Sequence, residues 1–113
     1  MKKKYDWICY YSAGFAPVQL NEKWGFIDLQ GNEICEIKYD DVWNFYNGFA
    51  MVELNGKWGF INEQGKEICS IEYDDVWVFK NGFAKVWIGD EELYIDENGN
   101  EYDKINDEYV RRN

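Results

Sequence analysis

The chain has 113 residues, of which 46% are hydrophobic and 19% aromatic, and its formal net charge is -10 at pH 7. This length suits a single domain spanning residues 1–113, and the hydrophobic content excludes a chain that is disordered by composition. The negative charge disfavours direct binding to nucleic acid or to an anionic membrane and favours a basic protein partner, although solubility alone would also explain it.

The N-terminal residues Met1–Lys4 have the basic character of a signal-peptide start, but no apolar stretch follows them. No apolar run of about 18 residues or more occurs that would predict a membrane span. The three cysteines are an odd number without close spacing, which does not indicate a disulfide framework. We therefore expect a cytoplasmic protein.

A period of 34 residues runs through the chain, so that Trp24-Gly25 returns as Trp58-Gly59. Between residues 21–54 and 55–88, 23 of 34 positions are identical. The period predicts repeat units at about 5–38, 39–72 and 73–106, followed by a C-terminal tail at 107–113.

Each unit is predicted to contain short strands and no helix, because apolar residues alternate and no helical period occurs. The strongest signal is FAMVELNGKWGFI at 49–61, where Asn55-Gly56 predicts a two-residue type I′ hairpin turn. Residues 90–92 are expected to form a turn and a strand, as in the other units. In the second unit the predicted strands are Val42–Phe45, Phe49–Leu54, Lys57–Asn62 and Lys66–Cys69.

A unit of this size cannot cover its own apolar face, so neighbouring units must stack. We predict an all-β fold of three stacked antiparallel β-hairpin or meander repeats, arranged either as a short open stack or as a compact pseudo-threefold barrel. The tail is positioned to add one strand that closes or caps the array. Cys35 and Cys69, which occupy the same phase, are interpreted as small buried hydrophobes. We expect a monomer, or a weak homodimer that pairs through a repeat end.

The segments KWGFIDLQG at 23–31 and KWGFINEQG at 57–65 resemble the WG repeat, as do YDDVWNFYNGFA at 39–50 and YDDVWVFKNGFA at 73–84. The resemblance covers nearly all of residues 5–106. The sequence departs from it in the third unit, where Glu92-Leu93 replaces Trp-Gly, and in lacking a proline shortly before each Tyr-Asp pair. The resemblance implies an all-β repeat scaffold of a mostly bacterial family, with no catalytic residues to transfer.

The residue patterns typical of an enzyme or a metal protein are missing from the sequence. There is no histidine, no phosphate-binding glycine loop, and no CxxC spacing among the cysteines. The acidic segment 96–101 lacks the alternating ligands of an EF-hand. We therefore expect a non-enzymatic protein without catalytic residues, cofactor or metal.

Acidic side chains near the C-terminus are the first candidate for a partner-binding site. Residues 1–89 carry 13 acidic and nine basic side chains, whereas residues 90–113 carry nine acidic and three basic ones. The end unit of an array also needs a polar outer face for solubility, which explains the same cluster structurally. The candidate residues are Asp90, Glu91, Glu92, Asp96, Glu97, Glu101, Asp103, Asp107 and Glu108.

A secondary site is predicted from the paired aspartates Asp40-Asp41 and Asp74-Asp75, which recur at the same phase. Their carboxylates would line a calcium site or a basic partner's groove. Alternatively, they cap the turn before a strand by accepting backbone N–H bonds, and repetition at a fixed phase favours this alternative.

Exposed aromatic side chains complete the secondary site. Tyr46 and Trp87 replace less apolar or unrelated residues at their phases and are therefore expected at the surface. Tyrosine and tryptophan are preferred anchors of protein interfaces.

These features together predict a non-enzymatic protein-binding module. The more concrete hypothesis is a small acidic inhibitor whose carboxylates imitate a phosphate row. It would dock on a basic cleft of a bacterial nucleic-acid-handling protein, in the manner of anti-CRISPR or nuclease-immunity proteins. The alternative is a structural or interaction module of the WG-repeat kind that binds a peptide or a surface protein through exposed aromatics.

Overall fold

The computed structural model describes residues 4–113, and these residues form β-strands and no helix. The strands lie in three antiparallel sheets, so the predicted all-β fold is confirmed. The first sheet contains β1 (Trp7–Ile8), β2 (Ala16–Leu20) and β3 (Lys23–Ile27). The second contains β4 (Asp41–Val42), β5 (Phe49–Leu54) and β6 (Lys57–Asn62). The third contains β7 (Asp75–Val76), β8 (Phe83–Ile88), β9 (Glu91–Asp96), β10 (Glu101–Ile105) and β11 (Glu108–Arg111).

A hairpin of two longer strands is the constant part of each sheet. In the second sheet, β5 and β6 pair from Phe49 opposite Asn62 to Leu54 opposite Lys57. The turn residues Asn55 and Gly56 have φ angles of 54° and 81°, which a type I′ turn requires at both central positions.

The sheets form an open stack that measures 58 × 25 × 20 Å along its principal axes. None of the sheets closes on itself, so the compact-barrel alternative is wrong. Consecutive sheets are joined by backbone bonds: the N–H of Trp24 donates to the carbonyl of Tyr39 at 2.8 Å, and the reverse bond is 3.1 Å long. Trp58 and Tyr73 repeat this pair at the second junction.

Phenylalanine side chains fill the space between neighbouring sheets. The Phe45 ring packs on Phe15 and Phe26, with ring centroids 4.4 and 4.9 Å apart. One period later, Phe79 packs in the same way on a pair of rings at 4.3 and 4.8 Å. Because the rings of one unit belong to the core of the next, each unit is incomplete without its neighbour.

The glycine of each Trp-Gly pair allows the connecting segment to cross the sheet at close range. A Cβ atom on Gly59 would lie 3.0 Å from Cγ1 and 3.1 Å from Cα of Ile71. The same holds for Gly25, where a Cβ would lie 2.9 Å from Cγ1 of Ile37. The connector therefore rests directly on the strand, and this close approach favours glycine at the position.

Two of the strands predicted for the second unit differ from the structure. The strand expected over Val42–Phe45 covers only Asp41–Val42, because the chain then turns to bury Phe45 between the sheets. The segment Lys66–Cys69 contains no strand and forms a single bridge between Glu67 and Ile61. It leaves the sheet early because it must cross toward the next unit.

The third unit ends the stack in a different way. Leu93 stands at the phase of Gly59 and is fully buried, so its side chain fills the space over which a connector would cross. Ile105, at the phase of Ile71, is accordingly 54% exposed, and its segment runs as β10 beside β9. The C-terminal tail adds β11 to β10, as the sequence suggested, and extends the sheet without closing it.

We expect Gly65→Ala to destabilise the protein far more than Gly31→Ala. Both glycines have positive φ, 78° and 81°, but a Cβ on Gly65 would lie 1.7 Å from the carbonyl oxygen of Ile34 in the preceding unit. A Cβ on Gly31 would meet no atom within 4 Å. Gly31→Ala should therefore cost only the backbone strain, about 1–2 kcal/mol, and Gly65→Ala more than about 3 kcal/mol. Urea denaturation measures the free energy of unfolding of both variants. An equal loss of stability in the two would contradict the docking of the turn at Gly65 on the preceding unit.

Candidate functional site

A hydrogen bond between a buried tyrosine and a glutamate recurs in every unit. Tyr39 donates to Glu67 at 2.6 Å and Tyr73 donates to Glu101 at 2.6 Å, and the first unit carries the same bond at 2.8 Å. Burial and the bond to Glu67 raise the pKa of the Tyr39 hydroxyl. Glu101, one of the predicted partner-binding acids, therefore holds a structural bond with one of its carboxylate oxygens.

The first aspartate of each Asp-Asp pair holds a hairpin turn. Asp40 accepts a hydrogen bond from the N–H of Asn55 at 2.8 Å and forms an ion pair with Lys23 of the preceding hairpin. The hydrogen bond from Lys23, followed by that from Asn55, lowers the pKa of Asp40. Asp74 makes the equivalent two contacts one period later. These contacts agree with the turn-capping interpretation of the pairs.

Five of the nine predicted acids near the C-terminus are engaged within the protein. Glu91 and Asp103 contact Arg112 at 3.4 and 2.6 Å, and Glu92 pairs with Lys85 at 2.8 Å. The others are Asp96, which accepts bonds from its own turn and from Tyr102, and Glu101, which accepts the bond from Tyr73. The three recurring bonds Tyr5–Glu33, Tyr39–Glu67 and Tyr73–Glu101 are called the tyrosine ladder below.

The remaining four acids at this end, Asp90, Glu97, Asp107 and Glu108, are exposed. Their side chains make no hydrogen bond or ion pair within residues 4–113. The structure therefore divides the predicted acidic site into a bonded group and a group that faces solvent.

A groove with a volume of 890 Å³ lies where the second and third sheets meet the C-terminal hairpin. Aromatic rings form much of its wall, and they come from three separate parts of the chain. These rings include Trp43, Trp58, Trp77, Tyr94 and Tyr109.

Trp43 and Trp77 reach the groove because of the repeat itself. Each follows a valine that packs against the core, so the alternation of the chain directs the tryptophan outward. The N–H of Trp43 donates to the carbonyl of Met51 at 3.0 Å, and Trp77 makes the same bond to Lys85 at 2.9 Å. The two tryptophan side chains are 58% and 56% exposed, which is unusual for such large apolar groups.

Lysine side chains are interleaved with these rings. The Lys85 ammonium lies 4.8 Å from the centroid of Trp77 and 5.8 Å from that of Tyr94. The Lys104 ammonium lies 5.3 Å from Tyr109 and 5.7 Å from Tyr94. Such cation–π contacts hold the rings and the amines in one arrangement. A hydrogen bond to Glu92 raises the pKa of Lys85.

The residues predicted for the secondary site lie beside this groove or away from it. Tyr46 is 56% exposed and does not line the groove. Trp87 is half-buried and lies behind Trp77, with the ring centroids 5.1 Å apart. Asp75 lines the groove, whereas its counterpart Asp41 does not. Asp41 and Asp75 each accept a hydrogen bond from the backbone N–H of the following residue at 2.9 Å.

Sequence reasoning missed Trp43 and Trp77, although a signal for them was present. It selected aromatic residues that differ between repeats, whereas these two are identical at the same phase. The alternation Val-Trp in a short strand, with the valine buried, was sufficient to place the tryptophans outside.

The remaining chemistry of the described chain is sparse. Cys35 and Cys69 are free and pack against the cores, but they are only half-buried and not fully buried as the sequence predicted. Burial raises the pKa of Cys69 to about 11. Within residues 4–113 no group of three or more metal-ligating side chains occurs. In the same part of the chain, no helix is long and apolar enough to span a membrane.

Three small sheets stacked by a 34-residue period define a β-repeat protein. The family model described as "WG containing repeat" matches residues 2–24, 24–58 and 58–90, and the chain belongs to this family. No curated protein and no solved structure matches the chain. Since the family matches end at residue 90, Tyr94, Lys104 and Tyr109 reach the groove from outside the matched segments.

Because of the tyrosine ladder, we expect the protein to lose stability in acid. In the Glu67→Gln variant this acid-dependent loss should be smaller. Burial opposes ionisation of Glu67, but the bonds from Tyr39 and Lys38 outweigh it and lower its pKa below the ordinary 4.5. A lowered carboxyl pKa stabilises the fold above the ordinary value, and this contribution is lost as the pH falls through the folded-state pKa.

At about pH 7 the Glu67→Gln variant should therefore melt about 2–5 °C below the parent, and the gap should narrow as the pH falls below the ordinary carboxyl pKa of 4.5. Calorimetry across this range provides the measurement. Glu63→Gln, in the exposed turn of the same unit, removes the same charge and should leave the melting temperature unchanged. A gap that persists at low pH would show that the Glu67 charge does not stabilise the ladder.

Proposed function

We propose that this protein is a non-enzymatic protein-interaction module and that the aromatic groove is its binding site. The observation that carries the proposal is the pair of exposed tryptophans, Trp43 and Trp77, held one repeat apart on the same groove. The WG-repeat family supports the general part of the proposal, since it is a family of β-repeat modules.

The composition of the groove favours recognition of a peptide segment. Protein interfaces are enriched in tryptophan and tyrosine, and the residues that contribute most to affinity are often of these types. A cavity of 890 Å³ falls within the size range of small-ligand and short-peptide sites. Trp77, Tyr94 and Tyr109 are already held by contacts with lysines or with each other, and rings ordered in this way lose little entropy when a partner binds.

The polar groups of the groove support a binding role over a catalytic one. They include three lysine amines, the carboxylate of Asp75 and the amide of Asn81, and the sequence has no histidine to serve as a general base. Lys85 is engaged with Glu92 and three rings, which favours a positioning role for its amine.

The proposal is tested by selecting peptides from a random phage-displayed library against the immobilised protein. Selected peptides should lose about 30-fold or more in affinity when tested against Trp77→Ala, which corresponds to a hot-spot loss of about 2 kcal/mol. Trp43→Ala should also weaken binding. Titration by fluorescence anisotropy with labelled peptides gives the affinities.

Trp7→Ala is the matched control, because Trp7 is 62% exposed and does not line the groove. The selected peptides should bind Trp7→Ala with an affinity within about twofold of their affinity for the parent. A selection that yields no peptide, or peptides that bind equally well to Trp77→Ala, would overturn the groove as the site.

A second candidate function rests on the four exposed acids without side-chain partners, Asp90, Glu97, Asp107 and Glu108. In a protein of net charge -10, this surface suits a basic cleft. The corresponding role is an inhibitor of a bacterial nucleic-acid-handling protein, of the anti-CRISPR or nuclease-immunity type.

Reversing these four acids to lysine should abolish inhibition of DNA cleavage in a panel of purified RNA-guided nucleases and nuclease toxins. The control reverses four exposed acids elsewhere, namely Glu22, Glu36, Glu63 and Glu72, and so changes the net charge by the same amount. The control should remain inhibitory. An equal loss of inhibition in both variants would show that inhibition depends on net charge and not on this surface. If the parent inhibits no nuclease in the panel, this role is wrong.

A further inference from the structure

We infer that the groove takes an acidic linear peptide in which carboxylates alternate with aromatic or other apolar side chains. The inference rests on the proposed function of the groove and adds the chemistry of its occupant. It follows from the charge of the groove wall, which is opposite in sign to the charge of the protein.

The wall carries three amines and one carboxylate, whereas the whole chain carries 22 acidic and 12 basic side chains. The amines belong to Lys80, Lys85 and Lys104, and the carboxylate belongs to Asp75. A local excess of positive charge in an acidic protein attracts anionic groups to that place and not to the remaining surface.

Two of the three amines are available to a ligand. Lys85 forms its ion pair with Glu92 at 2.8 Å. Lys80 and Lys104 have no carboxylate within 4.0 Å in the part of the chain that the structure describes. Lys104 lies over the faces of Tyr94 and Tyr109, and a ring face leaves ammonium N–H groups free to donate to a carboxylate.

The amines are specific to the third unit. Lys80 stands at the phase of Ser12 and Tyr46, and Lys85 at the phase of Pro17 and Met51. Lys104 likewise stands where the first two units have Glu36 and Ser70. The repeat scaffold therefore does not need lysine at these phases, because two units fold without it.

The rings and the free amines together favour a ligand that carries both apolar side chains and carboxylates. Apolar side chains of the peptide pack between Trp43 and Trp77, and carboxylates reach Lys80 and Lys104. A single-stranded nucleic acid would use similar rings and amines. Its continuous row of phosphates, however, would pass the carboxylates of Glu92, Asp103 and Asp107, which line the adjoining cavity beside Tyr94 and Lys104.

The inference is tested with three fluorescein-labelled peptides of about eight residues, in which Phe alternates with Glu, with Gln or with Lys. The Glu-Phe peptide should bind about tenfold or more tighter than the Gln-Phe peptide in about 50 mM salt, and the ratio should fall in about 300 mM salt. The Lys-Phe peptide should bind most weakly. Anisotropy titrations give all of these affinities.

Variants then assign the preference to the two amines. Lys80→Gln combined with Lys104→Gln should reduce the Glu-to-Gln ratio to less than about twofold, because the Glu-Phe peptide loses more affinity than the Gln-Phe peptide. Lys66→Gln removes an exposed lysine that lies outside the groove and should retain the full ratio. Melting curves confirm that each variant is folded.

Equal affinity for the Glu and Gln peptides, a preference for the Lys peptide, or no binding of any of them would overturn the inference. Tighter binding of an oligothymidylate of similar length would overturn it in favour of a nucleic-acid ligand. If the Glu and Gln peptides bind equally and both lose affinity with Trp77→Ala, only the charge inference fails and the groove remains the binding site.

Discussion

The stack depends on the missing side chain at Gly25 and Gly59. Because no Cβ is present, Ile37 and Ile71 rest on the strand itself, at distances shorter than an ordinary contact of a β-carbon. This close passage brings Tyr39 and Tyr73 to the strands of the preceding sheet, where each makes two backbone hydrogen bonds. The tyrosine side chains then enter the core that the two sheets share.

Leu93 occupies the phase of these glycines in the third unit, and the path of the chain changes there. With a buried leucine in place of glycine, the chain cannot cross the sheet, and it continues in the same sheet as an extra hairpin. Tyr109 of this hairpin stacks on Phe83 with ring centroids 3.8 Å apart, where a phenylalanine of a following unit would otherwise lie. The hairpin that ends the array also supplies Lys104 and Tyr109 to the groove, so the end of the array and the formation of the groove share one cause.

The period, the hairpins and the stacking of units could be predicted from the sequence, because turn chemistry and repetition are local signals. Asn55-Gly56 indicated its turn without any tertiary contact. Strand lengths at the unit junctions were less predictable, because Phe45 is apolar whether it continues a strand or turns inward. The choice depends on a cavity formed by the neighbouring unit.

The groove could not be predicted in the same way, because its walls come from residues 43–58, 75–85 and 94–109. These segments come together because the connector crosses closely over Gly59 and because the chain after Leu93 forms an extra hairpin. Neither Gly59 nor Leu93 lies in a sequence pattern that indicates a binding site. The acidic cluster was easy to recognise in the sequence, yet five of its nine members hold contacts within the fold. Charge density along a sequence does not distinguish a carboxylate that faces solvent from one that is bonded to a neighbour.

The sharing of core residues across each junction has a consequence for how such a chain can change in length. Phe26 packs with residues of the second sheet and Phe60 with residues of the third, so no cut between units yields a piece with a complete core. Insertion of a copy of residues 24–57 after residue 57 would nevertheless keep every residue in phase and repeat the Trp-Gly and Tyr-Asp segments at the new junction. The register of such an added unit is set by the 34-residue spacing. Such a protein can lengthen by whole periods while its terminal hairpin, and the groove beside it, stay unchanged.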